Sequence, residues 1–299
     1  MNPVISARGL SKFYPRTTAL NDVSFDLDEG KVYGLLGRNG SGKTTLMSIL
    51  TAQSFASRGS FTVFGEAPFE NSAVLRRICF VRENQVYPSD AKPVHAFDSA
   101  RLFFENWDQA LADRLIREFQ IPLHTRIKKL SRGQLSAVGI VIGMASRAEI
   151  TFFDEPYLGL DAVARQIFYD RLLQDYAENP RTIVLSSHLI DEVANLLEHV
   201  LVLDRGRLIL NSSSDDVRGS AVNIVGPTET VTAFTRGREV IHSESLGRVT
   251  SVTMMGRLSR EEQNAMQAAG LDLAPVSLQQ LVVRASQHAA TLDRTERVA

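Results

Sequence analysis

The stretch Gly37-Arg38-Asn39-Gly40-Ser41-Gly42-Lys43-Thr44 decides the fold, and it lies between a predicted strand and a predicted helix. The strand covers Lys31 to Leu36 and the helix covers Lys43 to Leu50. Glycines at this spacing let consecutive backbone amides turn toward phosphate oxygens, and the helix N-terminus adds a favourable dipole. All eight positions agree in this context, so the pattern predicts a phosphate-binding loop rather than a glycine-rich turn without chemistry.

This loop supplies most of the candidate nucleotide contacts. We expect Lys43 to bridge the β- and γ-phosphates of ATP, and the Thr44 hydroxyl to bind Mg²⁺. The nucleotide-binding residues predicted in this segment are Gly37, Asn39, Gly40, Ser41, Gly42, Lys43, Thr44 and Thr45.

A mostly apolar strand ending in two acids follows at Ile150-Thr151-Phe152-Phe153-Asp154-Glu155. A buried parallel strand delivers charge to the carboxyl edge of a sheet in this way. Adjacent acids point in different directions, so we expect Asp154 to hold Mg²⁺ and Glu155 to face the water that attacks the γ-phosphate. Taken alone, such a pair could equally end a strand at a solvated loop.

Composition excludes several function classes. The 299 residues are 44% hydrophobic, which supports a buried core, and the net charge of −1 gives no basic excess for nucleic acid. The longest nearly uninterrupted apolar run, Ala137 to Ala145, is far short of the roughly 20 residues that span a bilayer. The N-terminus lacks a basic segment before an apolar core, and Cys79 is the single cysteine, so we expect a cytoplasmic chain without a disulfide.

The pentapeptide Leu130-Ser131-Arg132-Gly133-Gln134 opens a predicted helix, Ser131 to Ser146, and resembles the signature of ABC ATPases. In that family the pentapeptide reaches the γ-phosphate of ATP bound to the opposite subunit, so the resemblance implies a dimer with two shared sites. It assigns Ser131, Gly133 and Gln134 to the partner's nucleotide. The alternative is a serine that only caps its helix.

The resemblance covers Val4 to about Asn211, with the motifs in the expected order. It makes the acid pair a Walker B motif, Gly159-Leu160-Asp161 the D-loop at the dimer interface, and His188 the switch histidine that contacts the γ-phosphate and positions water. Asp161 is equally a good N-cap for the helix that begins at Ala162. The expected catalytic residues are Lys43, Glu155 and His188.

Some positions leave alternatives or depart from the family pattern. Tyr14 lies where the family carries an aromatic residue that stacks on adenine, although Tyr14 or Phe13 could be half-buried core. The family's nucleotide-sensing glutamine, which touches the membrane partner, corresponds by spacing to Glu83, as in some exporter-type relatives; Gln85 is close enough for a shifted loop. A carboxylate there would bind Mg²⁺ directly. Arg132 stands where glycine is common, which affects the expected rate of turnover and not its kind.

The element order predicts an α/β fold: a P-loop ABC ATPase domain with a β-rich N-terminal subdomain, a RecA-like core and a helical insert, followed by a small α+β domain. The predicted bounds are 1–219 for the ATPase domain, about 86–147 for its helical subdomain, 220–286 for the accessory domain and 287–299 for a flexible tail. Periodicity also predicts a helix from Leu189 to Leu197, and capping boxes at Ser259 and Ser277 predict two short helices.

Together these features predict the ATP-binding, ATP-hydrolysing subunit of an ABC transporter. The resemblance implies a dimer with itself or a homologous subunit around two ATP·Mg²⁺, integral membrane permease subunits as partners, and a position on the inner face of the cell membrane. We expect an exporter and no nucleic acid partner. The alternative is a soluble ABC ATPase without transport, such as an iron–sulfur assembly ATPase.

Overall fold

The computed structural model describes residues 3–217, 219–284 and 287, which fall into two compact units. The first unit comprises Met1–His188 and Leu196–Leu208, and the second comprises Leu189–Asn195 and Ile209–Ala299. Most of the predicted tail, 288–299, lies outside the described residues. No helix among the described residues is long and apolar enough to cross a membrane.

The first unit begins with a three-stranded antiparallel sheet. Its central strand β1 (Ile5–Tyr14) pairs with β2 (Thr17–Leu27) on one side and with β4 (Arg58–Val63) on the other. From Val23 to Leu27, buried and exposed residues alternate along β2, as expected where one face of a sheet covers the core. The β-rich N-terminal subdomain is therefore confirmed.

The second sheet of this unit positions the site. Its strands are β3 (Val32–Leu36), β5 (Ile78–Val81), β6 (Ile150–Asp154), β7 (Thr182–Ser187), β8 (His199–Asp204) and β9 (Arg207–Ser213), which continues into the second unit. The order is β5-β6-β7-β3-β8-β9, and the pairs among the first five strands are parallel. Every residue of β3, β6 and β7 is buried, because helices such as α1 (Lys43–Leu50) and α6 (Ala162–Glu178) accompany them.

A helical region lies between β4 and β6. It contains α2 (Ser72–Leu75), α3 (Pro93–Phe103), α4 (Gln109–Glu118), a short 3-10 helix (Ile127–Lys129) and α5 (Arg132–Ala145). Asp108 caps α4 by accepting a hydrogen bond from the Leu111 amide, and it also pairs with Arg147 at 2.7 Å. The Arg147 guanidinium beside this carboxyl holds the pKa of Asp108 below its usual range.

Within the described residues, the centre of the second unit is a four-stranded antiparallel sheet with two helices between its strands. The elements are β10 (Ala221–Pro227), α9 (Thr228–Thr235), β11 (Val240–Leu246), β12 (Val249–Met255), α10 (Arg260–Ala268) and β13 (Asp272–Pro275). The sheet order β11-β12-β10-β13 gives the ferredoxin-like arrangement. Its core contains Ile224, Val231, Val252, Met254, Met266 and Leu271.

Two short helices, α7 (Ile190–Val193) and α8 (Ser214–Val217), also belong to the second unit. The predicted helix from Leu189 to Leu197 is thus shorter than expected. Both predicted capping boxes are present: Ser259 and Glu262 exchange hydrogen bonds, and so do Ser277 and Gln280. The described helical residues after the second box are 278–284.

Candidate functional site

The glycine-rich loop after β3 adopts a backbone that only glycine tolerates. Gly37 and Gly42 have φ angles of 146° and 111°, in the region that L side chains avoid. A Cβ at Gly37 would lie 2.2 Å from the Leu203 carbonyl oxygen, and one at Gly42 would lie 2.5 Å from that of Ala19. The loop is therefore pressed against its neighbours on both sides, and its path is fixed by the sequence.

The loop surrounds one buried cation. The Lys43 ammonium donates to the Gly37 carbonyl at 2.7 Å and lies 3.4 Å from Glu155 Oε1. Ser41 is also buried, and its hydroxyl has no hydrogen-bond partner among the described residues. A buried hydroxyl that is unpaired in the protein fits a site whose remaining acceptor is a phosphate oxygen. Asn39 and Gly40 are exposed at the rim, and Thr45 is half-buried on α1.

Thr44 and Asp154 lie together, as predicted. The Thr44 hydroxyl donates to Asp154 Oδ2 at 2.7 Å, and the Ser186 hydroxyl donates to Asp154 Oδ1 at 2.8 Å. Hydroxyl and carboxylate oxygens suit Mg²⁺, which usually takes one or two carboxylates plus substrate phosphates. Among the described residues no group of three or more His, Cys, Asp and Glu could hold a metal.

Glu155 follows Asp154 in a strained backbone conformation. Its φ angle of 49° is left-handed, which costs of order 1 kcal/mol or more for a residue with a side chain. The Glu155 amide donates to the Ser186 hydroxyl at 2.9 Å, so Ser186 contacts both acids. This turn separates the directions of the two acids: Asp154 faces Thr44, and Glu155 faces Lys43.

His188 and Tyr157 complete the cluster. His188 Nδ1 lies 2.7 Å from Glu155 Oε2, and the Tyr157 hydroxyl donates to the same oxygen. Burial, and then the charge of Glu155, raise the pKa of the Tyr157 hydroxyl, so it remains protonated. The sequence argument missed Tyr157 and Ser186, since neither residue type at its position distinguishes a site from a core.

The signature pentapeptide begins α5 with a capping box. The Ser131 hydroxyl accepts from the Gln134 amide, and the Gln134 side chain accepts from the Ser131 amide. The first turn also fits closely against its own chain, because a Cβ at Gly133 would lie 2.4 Å from the Gly159 carbonyl oxygen. Asp161 likewise caps α6 by accepting from the Ala164 amide. The capping interpretations of Ser131 and Asp161 are therefore confirmed; their roles toward a second chain remain predictions.

Glu83 is paired with the signature rather than with Asp154. The Arg132 guanidinium donates to Glu83 Oε1 at 2.5 Å, and the two side chains are 62% and 29% exposed, respectively. Gln85, the other candidate, lines a separate groove together with Tyr87 and His95. The structure therefore places the two candidates in different surroundings.

Tyr14 ends β1 with an exposed ring. Tyr14 is 47% exposed and Phe13 is 42% exposed, so neither residue is fully buried and both rings can be reached from solvent. The Lys12 ammonium lies 5.2 Å from the centroid of the Tyr14 ring. An exposed aromatic ring of this kind is suited to stacking on a base.

Comparisons with known proteins agree with this geometry. The family model for ABC transporters matches residues 20–158. The zinc uptake system ATP-binding protein ZurA of Listeria innocua is 29% identical over 230 residues, covering 72% of this chain and 88% of ZurA. The doxorubicin resistance ATP-binding protein DrrA of Mycobacterium tuberculosis is 28% identical over 228 residues, covering 73% of this chain and 68% of DrrA.

A solved ATP-binding subunit of an ABC transporter has the same fold, with a TM-score of 0.64 and 24% identity, covering 72% of this chain and 91% of that one. Over residues 20–158 the chain therefore matches the ABC transporter family, its relatives are ABC transporter ATP-binding proteins, and its fold is that of an ABC ATPase domain. The predicted fold class and the prediction of an ATPase are confirmed.

Proposed function

We propose that this chain is the ATPase subunit of an ABC exporter, in which two such chains clamp two ATP molecules and drive a separate integral membrane permease. The observation that carries the proposal is the convergence of Lys43, Glu155 and His188 in one buried cluster at the carboxyl ends of β3, β6 and β7. Parallel strands place their ligands at this edge.

In this proposal each residue of the cluster has one task. The loop amides and Lys43 bind the phosphates, and Glu155 accepts a proton from the attacking water. His188 holds Glu155 through Nδ1–H, and its Nε2 can donate to the γ-phosphate when that nitrogen also carries a proton. Thr44 and Asp154 would hold Mg²⁺, which when bound neutralises charge on the phosphates.

The second half of each site comes from the other chain. Ser131, Gly133 and Gln134 are proposed to approach the partner's γ-phosphate, and Asp161 to lie at the interface. The N-terminus of α5 supports this proposal, because the capping box takes up only the Ser131 and Gln134 amides and the helix dipole favours an anion. Tyr14 is proposed to stack on adenine, and Glu83 to take part in metal binding when ATP draws Arg132 away.

The permease is proposed to dock on the first unit beside the loop 82–88. A mostly apolar groove of about 270 Å³ lies there, between this loop and α3. Val86 in the loop is 87% exposed, and Leu102 and Phe103 at the end of α3 are 89% and 75% exposed, so both elements that line the groove present large apolar side chains to solvent. This surface would hold the chain at the inner face of the membrane.

Export is supported by Glu83, which corresponds by spacing to the sensing position as in some exporter-type relatives, and by the similarity to the doxorubicin resistance protein. A test is co-purification of the tagged chain with a multi-span membrane protein. Phe103→Asp is expected to lose that protein while retaining nucleotide binding. Retention of the membrane protein by Phe103→Asp would reject the proposed docking surface.

The shared-site proposal can be tested by mixing two inactive variants. Lys43→Ala removes the phosphate-loop cation, and Ser131→Arg blocks the signature. In a mixed dimer one site carries both changes and the other carries neither, so mixing is expected to restore ATP turnover. A control mixture of Lys43→Ala with the double variant has no intact site. If the mixture of Lys43→Ala with Ser131→Arg is as inactive as the control mixture, the two halves of a site do not come from different chains.

The second unit is proposed to regulate or stabilise the dimer. Its separate sheet and core support an independent role. A chain ending at Gly219 is expected to dimerise more weakly with ATP than the full chain. Equal dimerisation and equal ATP turnover of both chains would remove this proposal.

A further inference from the structure

Tyr157 is the one aromatic hydroxyl that contacts the catalytic cluster in the described part of the chain. Its side chain is 2% exposed. The hydroxyl donates to Glu155 Oε2, lies 2.8 Å from the Ser187 hydroxyl and accepts from the His188 amide at 3.1 Å. Tyr157 therefore contacts both the Glu155 carboxylate and the backbone amide of His188.

The direction of each hydrogen bond follows from counting protons. A phenol has one proton, an ionised carboxylate only accepts, and a backbone amide only donates. The Tyr157 proton must therefore point at Glu155, and the hydroxyl accepts from His188. This leaves Ser187 as the donor in its contact with Tyr157. The direction of all three hydrogen bonds is thus determined.

These contacts distinguish the two oxygens of Glu155. Oε2 is held by Tyr157 and by His188 Nδ1. Oε1 has no hydrogen-bond partner among the described residues and lies 3.4 Å from the Lys43 ammonium. One oxygen is fixed by the protein, and the other faces the side where the phosphates would bind.

We propose that Tyr157 is a positioning residue for ATP hydrolysis, whose hydroxyl fixes Glu155 Oε2 so that Oε1 receives the proton of the attacking water. The inference rests on the proposed role of Glu155 as the base. In that step the water oxygen bonds to the γ-phosphorus while the bond from phosphorus to the bridging oxygen breaks. The electron pair leaves with ADP, and the water proton moves to Oε1.

A purely structural role for Tyr157 predicts different behaviour. The ring lies 6.0 Å from the His188 ring, so packing alone would be retained in Tyr157→Phe, which loses only the oxygen. Loss of positioning would instead leave Glu155 free to rotate, with ATP binding unchanged. Misplacement of a reacting group by about 1 Å can lower a rate by about 100-fold.

The test compares kinetic constants of the full chain. Tyr157→Phe is expected to lower kcat by about 10- to 100-fold and to change the KM for ATP by less than about twofold. Tyr176→Phe is the matched control, because the Tyr176 hydroxyl also lies 2.6 Å from a glutamate oxygen, Glu198 Oε2, and 2.6 Å from the Gly30 carbonyl oxygen, away from the cluster. Thermal unfolding of all variants would show whether each one is folded.

The Glu155→Gln background separates this inference from the proposed function. Adding Tyr157→Phe to Glu155→Gln is expected to cause no further loss, since the two residues act as one unit. A Glu155→Gln chain with wild-type turnover would overturn the proposed base and this inference together. An inactive Glu155→Gln with an unchanged kcat in Tyr157→Phe would overturn only the role of Tyr157.

Discussion

Two glutamates predicted to serve the same nucleotide sit in opposite surroundings. The Glu155 side chain is 8% exposed and lies between Lys43 and His188. The Glu83 side chain is 29% exposed, and its partner Arg132 is 62% exposed. Charges in a buried cluster interact strongly and are held in one geometry, whereas exposed pairs are screened by water and salt.

This difference in exposure separates the residue proposed to act in ATP hydrolysis, Glu155, from the residue proposed to sense the nucleotide, Glu83. The buried cluster is assembled by three adjacent strands of one chain, so the kind of reaction is fixed within that chain. The exposed pair joins the loop after β5 to the start of α5, and water reaches both side chains. A third ion pair, Asp108 with Arg147, is intermediate, with side chains 30% and 17% exposed. Variants of the three pairs should therefore have effects that decrease as exposure rises.

The largest effect is expected for Glu155→Gln. Loss of a general base lowers turnover by about 100- to 10,000-fold, and the retained shape of glutamine should preserve ATP binding. Steady-state ATP hydrolysis and nucleotide titration measure the two quantities. Glu149→Gln is the control, because Glu149 pairs with Arg77 at 2.6 Å on the surface. Equal losses of ATP turnover in Glu155→Gln and Glu149→Gln would contradict the proposed difference between buried and exposed glutamates.

An intermediate effect is expected for Asp108→Asn. Asparagine can still cap α4, but the charged hydrogen bond to Arg147 is lost, which costs about 1.5–3 kcal/mol at neutral pH. The pKa of Asp108 is lowered by Arg147, so its stabilisation is present above the unfolded pKa of about 3.9 and is lost as pH falls through the folded value.

Denaturant unfolding at several pH values measures this linkage. The wild-type chain and Asp108→Asn should differ at neutral pH and converge in acid. Asp113→Asn, an exposed change on the same helix, is the control and should show no such convergence. A constant difference at all pH values would mean that the ionised carboxyl is not the source of the stability.

The smallest effect is expected for Arg132→Gly. Exposed pairs contribute about 0–1 kcal/mol, so ATP affinity should fall by no more than about fivefold. The loss should be greatest at low Mg²⁺, because Glu83 then repels the phosphates, and Glu83→Gln added to Arg132→Gly should restore affinity. Arg76→Gly is the matched control, since Arg76 forms a similarly exposed pair with Glu105 at 3.5 Å. A Mg²⁺-independent loss would contradict this account.

The residues that meet at the carboxyl edge of the parallel sheet could be predicted from the sequence for a physical reason. Buried parallel strands read as apolar runs, and the residues that follow them must meet at one edge, so Lys43, Asp154, Glu155 and His188 could be placed together without coordinates. The helices α1 and α5 were equally readable, because a glycine turn and a serine cap mark where they begin.

Contacts between distant residues could not be read in the same way. Arg132 and Glu83 are 49 positions apart, and Tyr157 and His188 are 31 apart, so only the folded chain brings them together. The four-residue helix α7 is shorter than the predicted helix, and its segment, Leu189–Asn195, belongs to the second unit. The short edge strand β13 was missed, since Asp272 and Pro275 are poor strand formers.

The central claim is that two chains close around ATP and reopen only after Glu155 has acted. Light scattering of Glu155→Gln with saturating ATP and Mg²⁺ tests it most directly. The account predicts a stable dimer that is absent without nucleotide and is not formed by Lys43→Ala. A Glu155→Gln chain that binds ATP and remains a monomer would contradict it.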